Sequence, residues 1–381
     1  MSNSEPKLAI TAMGMATSLG SADMGSRAAR AGLSLIQELP IAVENHGVLA
    51  KAYPNSATKG HPYHNYTNGK TGLDRLLCLG QAAFEDMLES AKGLRDLSKT
   101  ALIINLSDGF HSTICELLAV ENQENPTIDP KQSKLAQQQA SCQQELIAQL
   151  LSNFPGASPF FSTIGFGGKP GIVNSLMLAQ NLLQQGQVDS CIIGAIESCL
   201  EPDYLQDCNQ LEILKTDLFS DGFIPGEAAA FLLLENNSSL TQRPVLATVD
   251  SYQLSQCASQ RFVQEDSAVD QAQALTDSLS ACLTESLPAD MVLYCDFSGE
   301  KDRAKTWSYS QTRMSQLLQQ HPIRKSLYPA INFGEVGAPF AYVATIMACH
   351  AFDKGYADSD TAVIWTLSDN GVSGSLVLKK P

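Results

Sequence analysis

Hydrophobic residues along the chain fall into two patterns: short continuous runs, and runs spaced three or four residues apart. Continuous runs at Leu8 to Met13, Ala101 to Leu106 and Ala228 to Glu235 predict strands that are covered on both faces. The helical spacing is clearest between Leu73 and Leu88 and again after Gly171. Because the two patterns alternate, the sequence is typical of an α/β protein.

The rest of the chain continues this alternation. The first helix ends near Gly93, and the helix after Gly171 ends at Gly186, where a strand follows. Further along we predict, in order, a strand at 245–249, a helix at 269–283, a strand at 291–295, a helix near 314–318, a strand at 328–331, a helix at 338–352 and strands at 362–367 and 375–378.

Two polar stretches interrupt the alternation, at residues 46–70 and 122–144. The first is rich in histidine, tyrosine and asparagine, and the second is rich in glutamine. We expect both to be solvated loops or helices at the surface, with partner binding as the alternative.

Length and composition narrow the class of protein. Of the 381 residues, 44% are hydrophobic and 17% are charged, a balance typical of a well-packed globular protein. The length exceeds that of one average domain, so we expect two halves, residues 1–240 and residues 241–381. The net charge of −15 repels phosphate backbones and anionic membranes, which argues against nucleic acid and membranes as partners.

Cysteine usage predicts the compartment. The ten cysteines form no CxxC pair and several lie in apolar runs, so we expect reduced thiols and a cytoplasmic protein. The first seven residues do not begin a signal peptide, and no apolar run is long enough to span a membrane. Cys349 and His350 are neighbours that point in different directions on a helix, so we expect no metal site there and no cofactor elsewhere.

Several separated segments match, in order, the motifs of one enzyme family. The most specific are residues 221–229 (DGFIPGEAA), similar to "DGFxxGEGAG", and residues 186–198, similar to "GxxDxxxxGGxE". Weaker matches are the opening strand and turn at 10–20, the helix start at 74–75, the segment 330–335 (AINFGE) and the closing glycine turn and strand at 371–378. Along nearly its whole length the chain therefore resembles the β-ketoacyl synthases of the thiolase superfamily.

The resemblance implies a five-layer αβαβα thiolase-like fold with two similar halves, usually dimeric. It also implies an active site with one cysteine and two histidines. In this family the cysteine is the nucleophile, and the two imidazoles are neutral donors aimed at a developing oxyanion.

This sequence departs from the family at the cysteine. Counting back from Gly186 puts the nucleophile position at Lys169, or at Gly168 if Gly171 is aligned instead. No cysteine lies between residues 142 and 191, so the departure holds in either alignment. The resemblance therefore describes a degenerate member of the family.

The two histidine positions also hold other residues. Asp296 follows the strand at 291–295, and Glu335 follows Gly334. Asp369 stands where the family has an aromatic gatekeeper. The six histidines are expected elsewhere, at positions 46, 61, 64, 111, 321 and 350.

Besides side chains that simply point to solvent, two interpretations of these replacements remain open. In one, Lys169 pairs with one or both carboxylates and fills a disused pocket. In the other, Lys169 has a depressed pKa and acts with Asp296 or Glu335 in acid–base catalysis. The glycines before Lys169 lack the spacing of a phosphate-binding loop and predict a tight turn. Asp221 and Glu227 are expected to have structural roles.

The resemblance and the missing triad lead to one main functional prediction and two alternatives. The main prediction is a catalytically inactive subunit, similar to a chain-length factor, that pairs with an active ketosynthase and possibly with an acyl carrier protein in fatty acid or polyketide/aryl-polyene synthesis. The alternatives are a non-catalytic adaptor or chaperone for another protein, and an acyltransferase with an altered active site. Substrate, partner and homo- or heterodimeric state are left open.

Overall fold

Strands and helices alternate along the whole described chain. The computed structural model describes residues 8–47, 49–63, 66–92, 94, 96–121, 134–154, 157–236, 243–283 and 290–381. In these residues the strands are β1 (Leu8–Thr17), β2 (Gln37–Glu44), β3 (Asn55–Gly60), β4 (Thr100–Asn105), β5 (Phe161–Gly165), β6 (Ser190–Ser198), β7 (Glu227–Asn236), β8 (Ala247–Gln256), β9 (Met291–Cys295), β10 (Ile323–Leu327), β11 (Thr361–Leu367) and β12 (Val372–Lys379).

Helices connect most of these strands. They are α1 (Ala22–Arg30), α2 (Gly72–Ser90), α3 (Phe110–Glu121), α4 (Lys134–Ser152), α5 (Gly171–Gln184), α6 (Pro202–Gln210), α7 (Ser267–Cys282), α8 (Lys301–Arg313), α9 (Ser315–Gln320), α10 (Ala330–Phe333) and α11 (Phe340–Asp353). None of them is long and apolar enough to cross a membrane, within the residues described above.

The main sheet contains two sets of five strands in the same arrangement. Its order is β10-β9-β11-β12-β8-β1-β7-β6-β4-β5. In one set β5, β4 and β6 are parallel and are followed by antiparallel β7 and β1; in the other, β10, β9 and β11 are parallel and are followed by antiparallel β12 and β8. The sets meet where Leu8, Ala9 and Ile10 of β1 pair with β8. The predicted similarity of two halves is thereby confirmed, while the boundary at residue 240 stays a prediction.

Helices form three layers around the two sets of strands. α5 contacts β4 and β6 of one set and β8 and β12 of the other, and α11 contacts β11, β1 and β7. α2, with α4 packed on it, covers the outer face of the first set, and α7, with α8 packed on it, covers the outer face of the second. This is the α/β, five-layer αβαβα architecture that the sequence predicted.

One predicted strand is wrong. Residues 328–331 do not form a strand: β10 ends at Leu327, and α10 begins at Ala330. Pro329 has φ −53° and ψ −32°, so its ring fixes a helical φ inside the apolar run that predicted the strand. The apolar side chains that produced the pattern, Tyr328 and Ile331, are 37% and 65% exposed.

The polar stretches are only partly loops. Within residues 46–70, β3 pairs with β2 in a separate two-stranded sheet, and in the second stretch residues 134–144 belong to α4. Residues 122–133 lie outside the described residues, as do Gly93, where a helix end was predicted, and the first seven residues. All ten cysteines are free thiols, eight of them buried.

Candidate functional site

The loop between β5 and α5 places Lys169 in the interior. Gly168 has φ +55°, a left-handed conformation that favours glycine, and its Cα faces the carboxylate of Asp108. Pro170 follows with a helical φ of −70°, and α5 begins at Gly171. The tight turn is therefore as predicted, and the side chain that reaches the predicted site is that of Lys169, which is only 9% exposed.

The structure brings the three predicted site residues together. Asp296 comes directly after β9, and Glu335 lies in the turn between α10 and α11. Lys169 Nζ is 2.9 Å from Asp296 Oδ1 and 2.6 Å from Glu335 Oε2. Asp296 also accepts the backbone N–H of Leu367, and Glu335 accepts that of Gly337. Lys169 thus pairs with both carboxylates at once.

A second set of charges surrounds this trio. Arg303 on α8 contacts Asp296 at 3.5 Å, Glu300 at 3.2 Å and Asp369 at 3.4 Å, and it donates to the carbonyl of Leu367. Arg261 also pairs with Glu300 and Asp369. Asp369 is therefore a buried member of the charge cluster. We call Lys169, Arg261, Arg303, Asp296, Glu300, Glu335 and Asp369 the ionic cluster.

The electrostatics of the ionic cluster favour the charged forms of Lys169 and Asp369. Burial and the nearby Arg303 lower the pKa of Lys169, but Asp296 and Glu335 outweigh both and raise it above its usual range. Burial raises the pKa of Asp369, but Arg303 and Arg261 outweigh burial and hold it well below the usual range. A lysine base needs a neutral amine, so the shift of Lys169 is opposite to what the acid–base interpretation requires.

A cavity of about 810 Å³ lies beside the ionic cluster. Lys169, Glu335, Arg303 and Asp369 form part of its wall. The remaining wall exposes more apolar than polar surface but also carries carboxylates. Its apolar residues include Leu73, Leu76, Leu106, Phe110, Leu135, Phe166, Ile196, Phe223, Ala338 and Leu367, and its carboxylates include Asp108, Glu116, Glu197, Glu201, Asp203 and Asp207. The lysine pairing therefore leaves a pocket open, contrary to the expectation that it fills one.

The thiols on the cavity wall are poorly suited to nucleophilic attack. Burial raises the pKa of Cys115 to about 12 and also raises that of Cys142. Both are therefore protonated at neutral pH, whereas the nucleophile is the thiolate. These two are the cysteines on the wall among the described residues.

Glu197 ends the motif matched at residues 186–198, but the sequence analysis gave it no role in the site. It lies near the end of β6 on the cavity wall, 9% exposed, and accepts the backbone N–H of Ala338 at 2.6 Å. Burial raises its pKa to about 7, although hydrogen bonds from Ala338 and Ser107 oppose the shift. Gly337, at φ +68°, passes so close to the carboxylate that a side chain there would collide with it.

His111, on α3, was also missed: it lies at neither of the two family histidine positions, yet it borders the cavity. Its Nε2 is 2.8 Å from Asp369 Oδ2, and its Nδ1 is 3.1 Å from the hydroxyl of Tyr204. All three side chains line the cavity. His111 thus connects α3 and α6 to the ionic cluster.

The same arrangement recurs away from the cavity. His350 lies 2.7 Å from the Tyr356 hydroxyl and 3.1 Å from Asp23, and these three residues are absent from the described cavity wall. A Tyr–His–Asp chain in this protein therefore also serves to join elements, here α1 and α11. Hydrogen bonding alone does not make His111 catalytic.

The other residues singled out in the sequence have structural contacts. Glu227 is fully buried and accepts from Arg75, the Thr67 and Ser198 hydroxyls and the Tyr63 backbone. Asp221 accepts the backbone N–H of Lys301 at the start of α8. Within the described ranges no three His, Cys, Asp or Glu side chains are grouped as metal ligands would be.

Comparison with known proteins relates the chain to one fold. Residues 172–239 match the family "Beta-ketoacyl synthase, N-terminal domain". The chain is similar to a type II polyketide ketosynthase in complex with its acyl carrier protein and bound to the hexaketide (15% identity, TM-score 0.71, 99% of this chain and 100% of that chain). It is also similar to the ishigamide ketosynthase/chain length factor (15%, 0.62, 98% and 99%).

A third similar structure is the oxazolomycin ketosynthase domain of Streptomyces albus JA3453 (13% identity, TM-score 0.70, 99% of this chain and 75% of that chain). No curated protein sequence matches this chain at a significant level. At these identities the structural matches establish the fold, and the predicted thiolase-like ketosynthase fold is confirmed.

Proposed function

We propose that this chain is a catalytically inactive ketosynthase-like subunit that pairs with an active ketosynthase in fatty acid or polyketide/aryl-polyene synthesis. One observation supports the proposal: Lys169, Asp296 and Glu335, the residues that the motif alignment assigns to the expected triad, are joined by ion pairs.

This set cannot perform the family's condensation. The reaction needs a thiolate to take up the acyl group and neutral donors to stabilise the oxyanion. Lys169 is held as an ammonium ion by its two partners, and the carboxylates accept hydrogen bonds instead of donating them. Their negative charge also opposes an oxyanion or enolate at the same place.

The open cavity supports a role in holding substrate. Its volume of about 810 Å³ lies in the range of small-molecule sites, and its wall exposes more apolar than polar surface. An inert subunit with such a cavity could take up part of a chain that grows on the active subunit. The similarity to a solved ketosynthase/chain length factor is in line with this division of work.

The two edges of the main sheet differ in a way that favours pairing at β5. The edge strand β10 carries Arg324 and Lys325, which pair with Asp290 and Asp358. Charged residues protect an edge strand from addition of another strand. β5 has no charged residue, and Phe160 and Phe161 are 61% and 36% exposed. We therefore assign the partner to the β5 edge.

Charge assigns the carrier-protein docking site to the partner. A subunit with a net charge of −15 repels an acidic acyl carrier protein. The active subunit must therefore provide the basic surface, and the complex should bind the carrier protein more tightly than this chain alone does.

The first test is to capture the complex from its own cells and identify the stoichiometric partners by mass spectrometry. We expect an intact ketosynthase, with or without an acyl carrier protein. A different protein in stoichiometric amount, with no ketosynthase, would contradict the proposal and favour the adaptor or chaperone. Acyl turnover by the isolated chain would favour the acyltransferase.

The second test reconstitutes the pair from purified subunits. Ser162→Lys places a charge at an exposed position of β5, and Ser326→Lys places the same charge on β10 as the matched control. We expect the β5 variant to lose pairing and the condensation activity of the mixture, while the β10 variant retains both. Equal effects of the two variants would exclude the β5 edge as the interface.

A further inference from the structure

We propose that Lys70 and Cys78 form a redox-sensitive modification site at the start of α2. Lys70 Nζ lies 2.6 Å from Cys78 Sγ. Lys70 belongs to the loop before α2, and Cys78 is a half-buried residue within that helix. An oxidant can therefore reach the sulfur, and the amine is already beside it. The inference is independent of the proposed function.

The backbone around Lys70 is held in place. Its N–H donates to the carbonyl of Thr67 at 3.1 Å, and its carbonyl accepts from Arg75 Nη1 at 3.1 Å. Arg75 is in turn fixed by the buried Glu227 at 2.6 Å. The backbone of Lys70 is thus held through both its N–H and its carbonyl, with the amine beside the sulfur.

A second cysteine provides an internal comparison. Cys78 and Cys257 are the two half-buried cysteines of the protein. Cys257 Sγ lies against the carbonyl oxygens of Ser259 and Gly371 at 3.2 and 3.5 Å, and burial raises its pKa. Carbonyl oxygens and burial both disfavour the Cys257 thiolate, the form that reacts with an oxidant. We therefore expect Cys78 to react first.

The chemistry proceeds in two balanced steps with hydrogen peroxide as the oxidant. The Cys78 thiolate attacks one peroxide oxygen, so that the S–O bond forms and the O–O bond breaks. The hydroxide that leaves takes a proton from the Lys70 ammonium and becomes water, which leaves the amine neutral. Sulfur is oxidised by two electrons and peroxide is reduced. The neutral Lys70 amine then attacks sulfur; the S–N bond forms, the S–O bond breaks, and water leaves with the displaced hydroxyl and an amine proton. The product is a sulfenamide cross-link.

The cross-link would tie the loop at 66–71 to α2. Gly72 and Leu73, which follow this loop directly, line the cavity. Oxidation would thus restrain one part of the cavity wall, and thiols would release it by reducing the S–N bond. The contact with Cys78 raises the pKa of Lys70, so the second step should be faster at alkaline pH, where more of the amine is neutral.

The test is peptide mapping of the full chain after a brief treatment with dilute peroxide. Free thiols are then alkylated under denaturing conditions without a reductant, and the protein is digested with trypsin. We expect peptide 60–75, uncut after Lys70, joined to peptide 76–92, with a mass two hydrogens below the sum of the two. Dithiothreitol should separate them.

Two controls keep this test decisive. Lys70→Arg retains the positive charge but lacks the nucleophilic amine, so its Cys78 should oxidise without a cross-link. Cys257 should remain largely alkylated under the same treatment. Two outcomes would overturn the proposal. One is that, in the chain without substitutions, Cys78 is oxidised to sulfinic acid while Lys70 stays free. The other is that Cys78 and Cys257 are oxidised at the same rate.

Discussion

Glu197 and Glu227 are both buried glutamates on neighbouring strands, yet their surroundings are opposite. Glu227, at the start of β7, accepts hydrogen bonds from a guanidinium, two hydroxyls and a backbone N–H. Glu197, near the end of β6, has no cation within salt-bridge distance among the described residues and borders the cavity. Nearby carboxylates of Asp108 and Glu335 add to the burial that raises its pKa to about 7.

This difference in surroundings distinguishes a glutamate that stabilises the fold from one that belongs to the candidate site. A carboxylate surrounded by hydrogen-bond donors and one cation stays ionised and holds neighbouring elements together. A carboxylate that lacks a cation and faces open space keeps the ability to gain or lose a proton near neutrality. Burial and residue type are the same for both, so the neighbours decide the role.

The largest effect on stability is expected when the ion pair between Glu227 and Arg75 is removed. Glu227→Gln leaves the Arg75 guanidinium, only 11% exposed, without its counter-charge. We expect the free energy of unfolding to fall by about 3–5 kcal/mol, measured by urea denaturation at pH 7. The same chemical change at Glu197 is the matched control and should not destabilise the protein. A loss below about 1 kcal/mol for Glu227→Gln would show that the ion pair is dispensable.

Removing Lys169 from the ionic cluster should give Glu335 surroundings like those of Glu197. Lys169→Met removes the ammonium that pairs with Glu335, which keeps its hydrogen bond from the Gly337 N–H, while Arg303 still pairs with Asp296. We expect a loss of about 3 kcal/mol at pH 7, and recovery of most of it in the double variant Lys169→Met/Glu335→Gln. Purely additive losses in a double-mutant cycle would contradict the pairing.

The unpaired carboxylate predicts a specific pH dependence. The pKa of Glu197 is raised from 4.5 to about 7, so the folded state binds its proton more tightly than the unfolded state does. The contribution of Glu197 to the free energy of unfolding is fully present below pH 4.5 and is lost as the pH rises to about 7. We expect Glu197→Gln to remove about 2 kcal/mol of this pH-dependent loss, read from urea midpoints at pH 5 and pH 8. Parallel curves for the two proteins would refute the assignment.

The smallest effects should come from the two Tyr–His–Asp chains. Tyr204→Phe and Tyr356→Phe each remove one hydroxyl that contacts a histidine. If both chains only join elements, each variant should lose about 1 kcal/mol of stability, and neither should change the condensation activity of the reconstituted pair. A drop in activity confined to Tyr204→Phe would give the His111 chain a role in the reaction.

Much of the fold could be predicted because its signals are local. Continuous apolar runs gave β4, β7 and β9, and the glycine-rich motifs gave the family resemblance. The error at Tyr328 arose because an apolar pattern does not distinguish buried from exposed side chains. The missed helix α8 is rich in polar residues, so periodicity of apolar positions could not reveal it.

Site residues were predictable only where they could be located by counting along segments that match the family motifs. Lys169, Asp296 and Glu335 follow from counting along matched segments, and the structure brings all three together. His111 and Arg303 come from two further elements, and no spacing links them in the sequence. Glu197 ends the motif matched at 186–198, but that match assigned it no role in the site. One general signal was available: Glu197 lies at, and His111 just beyond, the carboxyl end of a parallel strand, where side chains of neighbouring strands converge.

The position of β1 has a consequence for how the protein is made. Its ten residues are buried and pair with β7 and β8, roughly 200 residues further along the chain. On the ribosome this strand must wait, unpaired, until both partners have emerged. Such long-range pairing slows folding and leaves an apolar strand open to aggregation in the meantime. Nascent chains that end before residue 227 should therefore depend strongly on chaperones.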